Sequence, residues 1–330
     1  MRNLFLGYYK PQQEEVIKLR RNADIVFDAN ALLNIYSYSQ QTRDITLKVL
    51  EKIKDRLWLP YQFALEYQQN RLDRISQETK NITDVKDKIL NLLDSEIKPF
   101  RRHPFLTELQ KQQLQEIYEA LKKAEKQHEE LLAEDPFHAQ VAEIFNGKIG
   151  TAPNETEKEI FYKNGKHRYA KEIPPGFCDY NKKDENANTY GDYIGWIQII
   201  NHAKDKKTDI ILVTDDLKKD WWVKKRGKRI GPRTELIDEF NAESDGKIVH
   251  MYSCSSFLSH ASTIIDIKIS EEVIEEARET PVIMDLHSKP KYIKKSKVDT
   301  PKMSGFEKKE AIKRVRDPDS PKTTNGMEEG

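Results

Sequence analysis

The stretch Asp24-Ile25-Val26-Phe27-Asp28-Ala29-Asn30 decides how this chain is read. Ile25, Val26 and Phe27 run together without polar alternation, which suits a parallel strand buried on both faces. In open α/β sheets the functional crevice lies beyond the carboxyl ends of such strands, and Asp28 stands at that end. Burying a carboxylate without a partner is costly. Asp28 is therefore either the cap of a helix beginning near Ala31 or a ligand for a cation, and acids at other strand ends decide between the two.

Working outward, Asp209-Ile210-Ile211-Leu212-Val213-Thr214-Asp215-Asp216 has the same form, a plain apolar strand running into acids. Residues 11–22 and 42–54 read as amphipathic helices, the second with Ile45, Val49 and Ile53 four apart on one face. Leu57-Trp58-Leu59 reads as a second strand closed by Pro60, and residues 248–252 as a final one. Strand, helix, strand in this order is the unit of parallel sheets.

A helix is expected from Tyr61 to about residue 81. Beyond it, residues 81–145 read as an insertion of charged helices broken at Pro99, Pro104 and Pro136, whose charges form mostly a solvated face, with a protein partner or a second copy of the chain as the alternative. Residues 146–190 carry Gly147, Gly150, Pro153, Gly165 and Pro174-Pro175-Gly176 and read as a long loop. A helix then begins at Tyr190-Gly191-Asp192, and another covers residues 233–242. The expected organisation is one domain over residues 1–265, followed at 266–330 by a short helix and a tail. That helix has Ser270 as N-cap and Val273, Ile274 and Ala277 on one face. From Pro281 onward 12 Lys/Arg stand against 8 Asp/Glu with little apolar content, the composition of a disordered basic tail.

Composition narrows the classes. Lys+Arg 56 against Asp+Glu 55 gives a net charge of +1, so where the charges lie matters more than their sum. Two cysteines, Cys178 and Cys254, make no CxxC pair and no disulfide framework, which fits a reducing compartment and a cytoplasmic protein. None of the 8 histidines has the i, i+4 spacing of a helical zinc site. No apolar run is long enough for a membrane span, and Tyr8-Tyr9-Lys10 ends the one at Leu4-Phe5-Leu6 too early for a signal peptide.

Acids recur at the positions that matter. Asp28 and the Asp215/Asp216 pair end two buried strands, Glu66 lies in the helix after Pro60, and Asp192 opens the helix before the Asp215 strand. Strand ends of a parallel sheet point the same way, so these groups can share one crevice, and a helix N-terminus favours the anionic form of Asp192. Clustered carboxylates repel unless a cation neutralises them, and an all-oxygen set suits Mg²⁺ or Mn²⁺. Such a site can serve phosphodiester hydrolysis. Asn30 and Thr214 are placed to orient the ligands.

The motifs Val26-Phe27-Asp28-Ala29-Asn30, Leu59-Pro60…Glu66-Tyr67…Arg71, Tyr190-Gly191-Asp192…Trp196 and Val213-Thr214-Asp215-Asp216…Asp220-Trp221-Trp222 resemble, in order, those of PIN-domain nucleases. The match is to a PIN-like branch of larger bacterial proteins with a helical insertion before the third acid. It covers about residues 23–252. The resemblance implies a three-layer α/β/α fold with a small parallel sheet, and divalent-metal hydrolysis of RNA or DNA. It implies Asp28, Glu66, Asp192 and either Asp215 or Asp216 as catalytic metal ligands. The Thr-x-Asp spacing favours Asp216 and the strand-end argument favours Asp215. Asp179, after Pro174-Pro175-Gly176, is implied in an outer shell. Arg71, on the same helix as Glu66, is expected to pair with a carboxylate or to bind phosphate.

Lys218, Lys219, Lys224, Lys225, Arg226, Lys228, Arg229 and Arg233 follow the second acidic strand end and interleave Trp221 and Trp222. They are expected to hold a nucleic-acid backbone while the tryptophans stack on bases. The alternative puts the tryptophans in the core and the lysines in solvent. A degenerate PIN-like scaffold that binds nucleic acid or a protein without cutting is the competing function. A haloacid-dehalogenase-type phosphatase needs a second Asp two residues after Asp28, where this chain has Asn30.

Overall fold

The computed structural model describes residues 1, 5–98, 105–180, 187–265 and 267–288. Met1–Leu286 form one compact unit. Its centre is a parallel sheet of β1 (Asp24–Phe27), β2 (Ile210–Val213) and β5 (Val249–Tyr252) in the order β1-β2-β5. Ile25 pairs with Ile211 and Ile211 with His250. Ile25, Val26, Ile210, Ile211, Leu212 and Val213 are fully buried, as expected for unalternating strands covered on both faces. β3 (Trp222–Lys225) and β4 (Lys228–Pro232) form a separate antiparallel hairpin. The Leu57–Leu59 segment lies beside β1 but is reduced to bridges, Ile25 with Leu57 and Leu59 with Ile149. Pro60 begins a helix before a longer ladder can form.

The helices are α1 (Gln13–Asn22), α2 (Ala29–Leu33), α3 (Gln40–Lys52), α4 (Tyr61–Asn91), α5 (Glu108–Glu130) and α6 (Pro136–Ile144). They continue with α7 (Glu155–Ala170), α8 (Gly191–Lys206), α9 (Thr234–Glu243), α10 (Cys254–Ser259), α11 (Ala261–Ile265) and α12 (Glu271–Ser288). α4 outruns its expected end by a further ten residues and passes through a π-helical turn at Leu92–Ile97. It pairs with α5, where Glu125 accepts from Thr83 Oγ1 (2.5 Å) and from Lys86 Nζ (2.6 Å). No residue of α5 is fully buried. Pro99 and Pro104 fall outside the described residues, and Pro136 starts α6 rather than ending a helix, with Asp135 as its cap.

A helix, α7, occupies the middle of the segment expected as a loop. The capping box of Asn154 and Glu157 starts it. Gly165 lets it lie against Tyr190, since a Cβ there would sit 2.7 Å from that ring. With Phe177, Tyr190, Tyr193 and Ile194, its Tyr169 forms a second small core. α12 is longer than its expected 270–279. It buries Val273, Ile274 and Ala277 in the main core, and its Glu276 accepts from Ser39 and Thr42 at the start of α3. The boundary expected at residue 265 thus falls inside the compact unit, while the charged tail from residue 289 lies outside the described residues. Among the described residues no helix is long and apolar enough to cross a membrane.

Candidate functional site

Asp28 follows β1 and occupies the N-cap position of α2, yet its side chain makes no capping bond. Its carboxylate is turned toward the neighbouring strand end instead. Thr214, the residue after β2, donates from Oγ1 to Asp28 Oδ2 at 2.8 Å. The same hydroxyl oxygen accepts from the Asp216 amide at 3.2 Å, which folds the backbone back over the sheet edge. Asp216 Oδ1 then accepts from the Lys218 amide at 2.6 Å, and Trp222 Nε1 donates to the Asp216 carbonyl, also at 2.6 Å.

Asp215 goes the other way. Its Oδ1 accepts from the Cys254 amide at 2.9 Å, at the N-terminus of α10, and its Oδ2 from Asn34 Nδ2 at 2.8 Å. Both oxygens are committed to structure, so Asp215 does not join the other acids. Asp216 does.

Glu66 and Asp192 meet because α4 and α8 cross on glycines. A Cβ on Gly191 would lie 1.9 Å from Glu66 Oε1, and one on Gly195 would lie 2.1 Å from the Phe63 ring. The two glycines are one turn apart and share a helix face. Gln62 Nε2 donates to Glu66 Oε1 at 2.7 Å, and Trp221 Nε1 donates to Asp192 Oδ2 at 3.4 Å.

One cation lies among these acids. Lys218 Nζ is 2.7 Å from Asp216 Oδ2, 3.0 Å from Asp179 Oδ2 and 3.5 Å from Asp192 Oδ2. Burial works against its charge, but Asp192, Asp216 and Asp179 outweigh that and hold it protonated well beyond the ordinary lysine range. Even so, the acids are poorly compensated. Burial, then the charge of Asp192, pushes Asp28 up to about 7 and Glu66 up to about 8. Asp192 and Asp216 are raised as well, chiefly by burial. Asp216 Oδ2 touches Lys218 only as an ion pair and lacks a well-directed hydrogen bond. Asp220 is 0% exposed; its Oδ2 accepts from the Cys178 amide at 2.9 Å and its Oδ1 has no partner.

Other expectations fare unevenly. Thr214 orients both Asp28 and Asp216. Asn30 is exposed on α2, and the buried asparagine nearby is Asn34, which serves Asp215. Arg71 pairs with Asp135 at 2.6 Å, a carboxylate that also accepts from Tyr36. Trp221 and Trp222 are 1% and 3% exposed and cannot be stacking platforms. Their indole N–H groups donate instead to Asp192 on α8 and to the Asp216 carbonyl, and Arg229 lies 4.4 Å from the Trp222 ring. Lys218 is inside the cluster. Lys219 lies over Phe177, and Arg233 pairs with Glu235. Lys224, Lys225, Arg226, Lys228 and Arg229 remain exposed on the β3–β4 hairpin.

Sequence reading gave no role to Tyr169, whose hydroxyl lies 1.9 Å from where a Gly176 Cβ would be. Burial, then Asp192 and Asp179, raises its pKa, so it keeps its proton beside the acids. Asp220 was visible in the Asp-Trp-Trp motif, but its orphaned oxygen was not.

Among the described residues, no three His, Cys, Asp or Glu side chains are spaced to hold a metal ion as they stand. The Lys218 ammonium lies between Asp216, Asp179 and Asp192.

A family model described as a PIN-like domain matches residues 24–236. No curated protein and no solved structure matches the chain. The match runs from the first residue of β1 into α9 and contains Asp28, Glu66, Asp179, Asp192, Asp215, Asp216 and Asp220, and on it the chain belongs to the PIN-like domain family, a nuclease superfamily.

Proposed function

We propose that the protein is a divalent-metal-dependent nuclease that hydrolyses phosphodiester bonds of RNA or DNA. One observation carries the reading. Asp28, Glu66, Asp192 and Asp216 come from four separate elements to one place, and two of them are driven to about 7 and about 8 by burial and by each other. A fold stabilised by this arrangement alone would not bury it.

The donor set fits a hard cation: all oxygens, with Asp216 Oδ2 and Asp220 Oδ1 buried and short of hydrogen-bond partners. Asp28, Glu66, Asp192 and Asp216 would hold Mg²⁺ or Mn²⁺, with Asp179 outside them. Such an ion supplies Lewis-acid polarisation of the phosphoryl group and stabilises the leaving oxygen. The chain supplies the rest. Thr214 fixes the Asp28 carboxylate, Gln62 that of Glu66 and Trp221 that of Asp192. Because burial and the neighbouring acids push Asp28 up to about 7 and Glu66 up to about 8, holding a cation would favour the charged forms of both. The exposed cations of the β3–β4 hairpin follow in sequence from Asp216 and would take the phosphate backbone.

A second reading, a PIN-like scaffold that binds without cutting, is favoured by the Lys218 ammonium among the acids. Incubating the purified chain with labelled RNA, single-stranded DNA and duplex DNA, in Mg²⁺, Mn²⁺ or EDTA, separates the two. Cation-dependent cleavage of at least one substrate is expected. Binding without cleavage in every cation supports the scaffold instead.

A further inference from the structure

Lys218 was expected to face a phosphate backbone, yet its ammonium is held by three carboxylates. Its main chain is fixed, because its amide donates to Asp216 Oδ1. Its side chain is a third exposed, at 33%, so the flexible stem has a way out to solvent. An ion within about 2.1 Å of the Asp216 and Asp192 oxygens would fill the volume that the ammonium occupies. The two cations would also repel each other strongly at that range in a partly desolvated site.

We propose that Lys218 is a built-in counter-ion which competes with the divalent metal for the carboxylate cluster, and that metal binding ejects its ammonium toward the incoming phosphate backbone. This rests on the metal-dependent reading above and adds a regulation of the same site. Without metal, Lys218 neutralises acids that would otherwise repel one another. With metal bound, the freed ammonium lies next to the basic hairpin and contributes a phosphate contact. One residue thereby links the loading of the cation to the capture of substrate.

The test uses the full chain. Mn²⁺ is titrated into the wild-type and Lys218→Met proteins at pH 8, followed by the electron paramagnetic resonance signal of the free ion. The variant should bind Mn²⁺ roughly tenfold more tightly or better, because the charge it removes belongs to a partly buried network and not to a surface pair. In parallel, wild-type Lys218 is acylated with an amine reagent and quantified by mass spectrometry, which does not depend on the variant folding. Lys218 should be protected without metal and labelled with saturating Mn²⁺. Labelling unmoved by Mn²⁺, or equal affinities in two folded proteins, overturns the counter-ion while leaving the metal reading in place. Failure of both proteins to bind Mn²⁺ removes the metal reading, and the counter-ion with it.

Discussion

Asp28 sits where a helix cap would sit, but its oxygen is spent on Thr214, which divides the acids committed to the scaffold from those proposed to hold the metal. The neighbours Asp215 and Asp216 make the same division. Asp215 holds the Cys254 amide and Asn34, so Asp215→Asn should lower stability by about 1–2 kcal/mol in denaturant melts, through a weakened α10 cap. Asp216→Asn should change metal-free stability less, because the amide oxygen can still accept from the Lys218 amide and Asp192 and Asp179 remain to hold the Lys218 ammonium. The sign of the pH dependence follows from the raised groups. Unfolded carboxyls titrate near 4, so between there and about 7 to 8 the folded chain holds more protons than the unfolded one. The stabilisation is complete at low pH and is lost as pH rises through the folded values. The thermal midpoint of EDTA-treated protein should therefore fall from pH 6 to pH 8.5, and saturating Mn²⁺ should remove the fall. A flat profile in EDTA would show that these acids are not raised.

At the scale of elements, the crossing of α4 and α8 sets the site. Alanine is the better helix former by about 1 kcal/mol, but at Gly191 its methyl would meet the Glu66 carboxylate. Gly191→Ala should cost about 1–3 kcal/mol by overpacking and weaken Mn²⁺ binding measurably. Gly231→Ala, with nothing within 4 Å of its Cβ, should do neither. Trp222 is a second discriminator. Buried against the acid loop, its replacement by Ala should cost about 3–5 kcal/mol in stability, whereas a stacking platform would lose only substrate affinity. Much at this scale was legible. Ile25-Val26-Phe27 and Ile210–Val213 announced the buried parallel strands, and their terminal acids are the ones on which the proposed site rests. The start of α7 was written in the capping box of Asn154 and Glu157, which the loop reading missed. Its body was not legible, because the close contact of Gly165 with Tyr190 supports it where an apolar stripe would ordinarily do so. The tryptophans misled because interleaving with lysines describes exposed platforms and buried anchors equally well. The choice between Asp215 and Asp216 was illegible because the turn at Thr214, not strand alternation, decides which carboxylate faces Asp28.

For the whole molecule, a net charge of +1 conceals a polar layout: acids gathered beyond the carboxyl ends of β1 and β2, and cations exposed on the hairpin that follows in sequence. If those cations meet phosphates, replacing Lys224, Lys225 and Arg226 by Glu should weaken substrate binding. Each lost contact should reduce the slope of log affinity against log salt by roughly 0.7 to 0.9. The rate at saturating substrate should change less than the affinity, and an unchanged salt slope would leave the hairpin as plain solvated surface. The account stands or falls on the acids, however. The decisive measurement is the single-turnover rate in Mn²⁺, on whichever nucleic acid the wild type cuts, for Asp216→Asn and Asp215→Asn side by side. Asp216→Asn should lose about a thousandfold, the scale on which removing a preorganised electrostatic group acts. Asp215→Asn, once shown to be folded, should stay within about tenfold, as expected of a residue that acts only through packing and capping. Cleavage at the wild-type rate by Asp216→Asn, or a loss confined to Asp215→Asn, would contradict the assignment of the site.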